Sequence, residues 1–132
     1  MKGFSLIELL VTIAILGILA TIAIGNYSSY IRNSRRTDGI NTLLSISFAE
    51  ERYRSSHAQY GTLAQVWGGV TTSSEGHYNL AISNVSATGY TATATAQGSQ
   101  ANDSSNGTSC TTLSLAVSNG TITKTPTACW PT

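Results

Sequence analysis

The chain has 132 residues, enough for one domain of modest size. Only 10% of residues are charged and the formal net charge is +1, so there is no global bias toward nucleic acid or acidic lipid. Low charge with abundant Ser, Thr and Ala suits a surface-exposed, tightly packed assembly better than a free cytosolic protein.

The N-terminus carries the most information. A basic stub, Met1-Lys2-Gly3, is followed by Phe4 and then an apolar run from Ile7 to Ile24 that holds one charge, Glu8. At 1.5 Å per residue the run approaches the roughly 20 residues that span a bilayer. Lys2 ahead of it favours a cytoplasmic N-terminus, while Arg32, Arg35 and Arg36 beyond its far end oppose that bias. An acidic side chain at the centre of a membrane helix costs roughly 2.5–3.5 kcal/mol on insertion scales, so Glu8 marks a functional position. A buried charge is tolerated when it is paired, and a partner on another copy would couple pairing to assembly. A secretory signal peptide is the bland alternative. Against it stand the early acid, the very short stub, and the poor cleavage context at Gly25-Asn26-Tyr27.

Gly3-Phe4, Glu8 and the apolar run together resemble a type IV prepilin. The resemblance implies a prepilin peptidase cut between Gly3 and Phe4 and N-methylation of Phe4. It implies that Glu8 meets the N-terminal amine of a neighbouring subunit during assembly. Without the stub the side-chain charges balance at 6 basic and 6 acidic, since Lys2 is one of the 7. The family orientation places the N-terminus in the cytoplasm and the head in the periplasm before the subunit joins an extracellular fibre. The implied partners are other pilin subunits, the peptidase and the inner-membrane assembly machinery. No enzymatic activity and no cofactor are expected.

Helical character is expected to continue from about Phe4 to about Ser55, a length of about 75–80 Å. Residues 4–30 would be the hydrophobic half and residues 31–56 the amphipathic half. In the second half Ile40, Leu43, Leu44, Ser47 and Phe48 are assigned to one face, with Arg32, Arg36, Asn41 and Arg52 on the other. Glu50, Glu51, Arg52 and Arg54 read as solvated charges paired at helical spacing. Gly17 and Gly25 form a soft spot, because a mid-helix glycine costs about 0.5–1 kcal/mol relative to alanine. Pilins commonly have glycine at the first position and proline at the second. The glycine here predicts an intact helix in the isolated subunit. Close helix packing is the competing role for both glycines.

A breaker-rich exit, Ser55 to Gly61, opens a head spanning 57–132. The resemblance makes about 59–76 the αβ-loop. Alternating runs then follow at 77–83, 90–96 and 112–118, and Asn119-Gly120 leads into Thr121-Ile122-Thr123-Lys124. Asn-Gly between such runs is a strong hairpin signal. The expected fold class is α+β: a long N-terminal helix packed on a four-stranded antiparallel sheet, with a C-terminal disulfide loop.

Cys110 and Cys129, the only two cysteines, read as one disulfide in an exported chain. Such a loop contributes roughly 3 kcal/mol by restricting the unfolded chain. The alternative, a metal site, lacks neighbouring His or Cys partners. In pilins this bridge bounds the D-region, here 110–129, often a surface of adhesion.

Glu50-Glu51-Arg52-Tyr53, Gly89-Tyr90-Thr91-Ala92, Gln100 to Asp103, Thr112-Leu113-Ser114-Leu115 and Cys129-Trp130 narrow the resemblance to small minor pilins of type IVa systems. Two alternatives remain open. One is a competence pilin that captures DNA through Lys124, Arg52 and Arg54. The other is a type II secretion pseudopilin, whose head usually lacks such a disulfide loop. His57 and His77 are isolated, and the N-x-S/T patterns at Asn26, Asn84, Asn102, Asn106 and Asn119 are expected by chance in so Ser/Thr/Asn-rich a chain. Twitching motility, adhesion and DNA uptake are all compatible tasks.

Overall fold

A computed structural model describes residues 3–131. Met1 and Lys2, part of the expected leader, lie outside the described residues. The longest element is α1, Leu6–Arg54. The chain divides into two units, Met1–Ile31 and Arg32–Thr132.

In the first unit, α1 is the one helix among the described residues long and apolar enough to cross a membrane, with a mean hydropathy of 2.6 and none of that window buried. It runs unbroken through Gly17 and Gly25. Its few hydroxyls satisfy themselves: Thr12 donates to the Glu8 carbonyl at 2.5 Å, Thr21 to Ile18 at 2.7 Å and Ser28 to Ile24 at 3.1 Å. That economy suits hydrocarbon, where no water offers a bond.

The second unit is α+β. A four-stranded antiparallel sheet is formed by β1 (Tyr78–Ser83), β2 (Gly89–Ala96), β5 (Thr112–Ser118) and β6 (Thr121–Thr125), in the order β1-β2-β5-β6. Alternation sorts the faces. Tyr90, Ala92, Ala94 and Ala96 of β2 and Leu113, Leu115 and Val117 of β5 point to the core, where they join Ile40, Leu43 and Ile46 of α1. Alanines facing the helix let it approach the sheet closely. Gly39 serves the same end, since an added Cβ would stand 3.0 Å from the Tyr78 ring. Asn119 and Gly120 join β5 to β6 with φ of 49° and 78°, the geometry of a primed turn.

Between β2 and β5 lie a 3-10 helix, Gly98–Asn102, and a two-residue hairpin of β3 (Ser104–Ser105) and β4 (Thr108–Ser109). The αβ-loop contains a short helix, α2 (Leu63–Trp67), which begins where Gln65 Oε1 accepts from Thr62 N at 2.8 Å and ends at Gly68 with φ 66°. Thr71 and Ser73 then bond β1, covering part of its outer edge.

Three expectations for α1 are corrected. Phe48 is not on the core face; it is 76% exposed, while Leu43 and Ile46 are fully buried. Five residues advance a helix about 140° beyond a full turn, so Phe48 cannot share Leu43's direction. Arg36 is not on a solvated face, and Glu50 is not a solvated charge: both are buried. Each has a partner distant in sequence that local periodicity cannot reveal.

Candidate functional site

The described part of the N-terminal site begins at Gly3. Gly3 has no atom within 4 Å of an added Cβ, and Phe4 is 94% exposed. Glu8 lies in the first turn of α1, and its Oε2 accepts from Ser5 N at 2.9 Å. Ser5-x-x-Glu8 is thus half of a capping box, with the carboxylate reaching back to a backbone N–H the helix start leaves unsatisfied. An acid here also complements the positive end of the helix dipole. The capping signature is legible in the sequence but is missed when Glu8 is read only as a charge in an apolar run. Ile7, Val11 and Thr12 surround Glu8, and no other acidic or basic side chain lies on α1 before Arg32. The site therefore offers one anionic group on an exposed apolar helix, with free acceptor capacity for a cation supplied from outside.

In the head, polar residues of α1 hold the loops. Arg36 forms a two-pronged pair with Asp103, Nε to Oδ2 at 2.7 Å and Nη2 to Oδ1 at 2.8 Å, with both side chains under 10% exposed. The hydrogen bond to Asp103 raises the Arg36 pKa further, outweighing the effect of burial. Asp38, also buried, accepts from the Ser73 hydroxyl at 2.5 Å, the Ser74 hydroxyl at 3.1 Å and Glu75 N at 3.3 Å, which pins the αβ-loop. Gln100 bridges elements by donating to the Arg32 carbonyl at 2.8 Å and the Tyr78 hydroxyl at 2.9 Å.

Glu50 accepts from Gly61 N at 2.8 Å, tying the start of the αβ-loop to α1. Burial pushes its pKa up, the Gly61 N–H opposes this, and the Glu51 charge adds to the rise. Tyr90, whose ring centre is 4.9 Å from that of Tyr60, is pushed up to about 12, chiefly by burial. Because the folded pKa of Glu50 is raised, its stabilising contribution is complete below the ordinary carboxylate pKa and is lost as pH rises through the raised value. Glu50→Gln should therefore melt a few degrees above the parent at pH 7, with the difference vanishing below about pH 4. Thermal melts at the two pH values check this, and a Gln variant less stable at pH 7 would contradict it.

Cys110 and Cys129 form a disulfide, S–S 2.04 Å and Cα–Cα 5.7 Å, buried in the core. Cys110 N donates to the Asp103 carbonyl at 2.9 Å, so the bridge and the Arg36 pair meet at one residue. Trp130 closes the end, its Nε1 donating to the Thr125 carbonyl at 3.2 Å with Lys124 Nζ 5.3 Å from the ring.

The three basic residues named for DNA are not gathered. Arg54 spends its guanidinium on the Ala87 carbonyl at 3.2 Å and the His57 carbonyl at 2.7 Å. Asn119 N bonds the Thr88 carbonyl at that same end of the sheet. Lys124 lies three residues along β6 from Thr121, roughly 10 Å further on, and Arg52 is exposed. His57 stacks on Tyr53 at 3.8 Å, and His77 lies 3.6 Å from Glu75. Among the described residues no three His, Cys, Asp or Glu gather as metal ligands.

Comparison with known proteins matches two family models. The prokaryotic N-terminal methylation motif covers residues 1–24, and the family described as type IV minor pilin ComP, DNA uptake sequence receptor, covers residues 25–114. Relatives include the type IV major pilin protein PilA of Myxococcus xanthus (strain DK1622), 34% identical over 67 residues, or 51% of this chain and 30% of the relative. The type IV major fimbrial protein FimA of Dichelobacter nodosus is 50% identical over 40 residues, 30% of this chain and 25% of the relative. Fimbrial protein EcpC of Eikenella corrodens is likewise 50% identical over 40 residues, 30% of this chain and 26% of the relative. The matches thus span less than a third of these relatives' lengths. An apolar N-terminal helix bearing the methylation motif, an α+β head closed by a disulfide, and a family match across most of that head identify the chain as a type IV pilin, a structural, non-enzymatic protein belonging to the ComP minor-pilin family.

Proposed function

We propose that this pilin is a minor subunit of a type IV pilus, cut after Gly3, N-methylated at Phe4, and drawn into the fibre by Glu8 pairing with a neighbour's N-terminus. It waits in the inner membrane with its head in the periplasm. The observation that carries the reading is Glu8 in the first turn of an exposed apolar helix, bonded only to its own backbone N–H. A new amine at Phe4 and the Glu8 carboxylate both need neutralising in a low-dielectric fibre core, and each can neutralise a partner of opposite sign. The prepilin peptidase and the assembly machinery are the partners this route requires. Gly3→Val tests it: a branched side chain should block the cut, so the chain keeps its leader and stays out of the fibre. An unchanged mature mass would count against the site.

A second reading, DNA capture by the head, is favoured by the family match over residues 25–114, which reaches well beyond the stalk. With Arg36 paired and Arg54 engaged, few cations are free for phosphates. Binding of duplex DNA to the processed protein should then weaken only modestly between 50 and 200 mM salt, because the slope scales with the number of phosphates neutralised. No DNA binding at the lower salt would leave a fibre subunit without this task.

A further inference from the structure

The head portion of α1 has an outward face that the fold leaves uncovered. Ser34, Thr37, Asn41, Leu44 and Phe48 recur at alternating spacings of three and four, the seam of two heptads. Leu44 is half-buried, and the rest are exposed, with Phe48 the most prominent apolar side chain. No charge falls on the seam, although Arg35, Asp38, Glu51 and Arg52 lie close by in the sequence. Two clefts flank it. One, of about 470 Å³, lies between this helix and the disulfide loop at Cys129 and Trp130. The other, of about 420 Å³, lies between the helix and the αβ-loop at Trp67 and Val70. A neutral ridge between two clefts is a surface shaped for ridge-into-groove packing of another helix.

We infer that this seam, with Phe48 as its anchor, receives the apolar stalk helix of a second pilin subunit in the fibre. This rests on the fibre-subunit reading above. Four observations choose that occupant. The spacing is that of helix–helix contact. The seam is free of charge and so compatible with an apolar helix. Residues 6–31 supply such a helix, wholly exposed within one subunit. The seam belongs to the same helix as that stalk, so it continues the surface through which pilins assemble. A contact between two different surfaces of one molecule also builds an open helical array, as a fibre requires.

The test uses the full chain. A photo-crosslinking benzoylphenylalanine placed at position 48 should, in sheared and irradiated fibres, give an adduct to residues 6–31 of another pilin. In parallel, Phe48→Asp should be processed normally and melt like the parent in detergent, because the side chain is 76% exposed. It should nevertheless enter fibres at least tenfold less. Incorporation of the Asp variant at the parental level, or an adduct confined to other segments or to non-pilin proteins, would overturn the seam while leaving the fibre-subunit reading intact. Absence of the parent protein from fibres would instead overturn that reading, and the seam with it.

Discussion

Glu8→Ala is expected to be cut and to reach the membrane, yet to fall out of sheared fibres by two orders of magnitude or more. The reasoning starts at the helix end. In the single chain the carboxylate accepts from Ser5 N, and alanine loses only that local bond. Losing a cap of this kind costs about 0.5–2 kcal/mol, too little to unfold a helix 49 residues long. In the fibre, by contrast, the variant leaves a neighbour's amine buried without its counter-ion. Breaking a buried pair by removing one partner costs roughly 3–5 kcal/mol, about 10²–10³ in equilibrium constant. Glu8→Gln separates the two effects, since it keeps an acceptor for Ser5 N but no charge. It should preserve the helix start and still fail to assemble. Quantitative mass spectrometry of membranes and sheared fibres reads both. Normal incorporation of the Gln variant would show that charge pairing is not what recruits the subunit.

The second large effect lies in the head. Asp103→Ala should destabilise it by about 3–5 kcal/mol, because Arg36 would remain buried with one backbone carbonyl, that of Ser104 at 3.2 Å, as its remaining acceptor. Against the 5–15 kcal/mol typical of a domain, that is a large share. For a unit of the size of Arg32–Thr132 it corresponds to a fall in Tm of roughly 15 °C or more. The pair also holds the segment that leads to Cys110, so the disulfide loop should loosen with it. Replacing both partners, Arg36→Met with Asp103→Leu, should recover most of the loss, since an apolar pair leaves no buried charge. Melting curves of the two variants check this; equal damage in the single and double variants would point to packing rather than charge.

The head's strands were legible because their chemistry is local. Thr-Ala alternation over 91–96 sorts one side chain to water and the next to the helix, and Asn119-Gly120 supplies both left-handed residues of its turn. Asn106-Gly107 carries the same turn signal, with φ of 49° and 78°, but its flanking strands are two polar residues each, too short to show alternation. The network around Arg36, Asp38 and Glu50 was not legible. Their partners lie 67, 35 and 11 residues away, and a helical pattern reports only neighbours three or four positions apart. A polar residue in an amphipathic helix reads as solvated until the fold brings it a partner. Phe48 shows the converse: hydropathy alone assigned it to the core, and the turn angle of the helix carries it outside. At the N-terminus the order of chemical types in Gly3, Phe4 and Glu8 was informative before any fold was considered, whereas the Ser5 contact needed the helix start to be placed.

Intact mass of this chain in sheared surface fibres is the most direct measurement. A species beginning at N-methyl-Phe4, lighter by the thiol hydrogens lost in the Cys110–Cys129 bridge and present as a small fraction of total pilin, is the predicted result. A chain retaining Met1-Lys2-Gly3, or a processed chain held in the membrane and missing from fibres, would contradict the account.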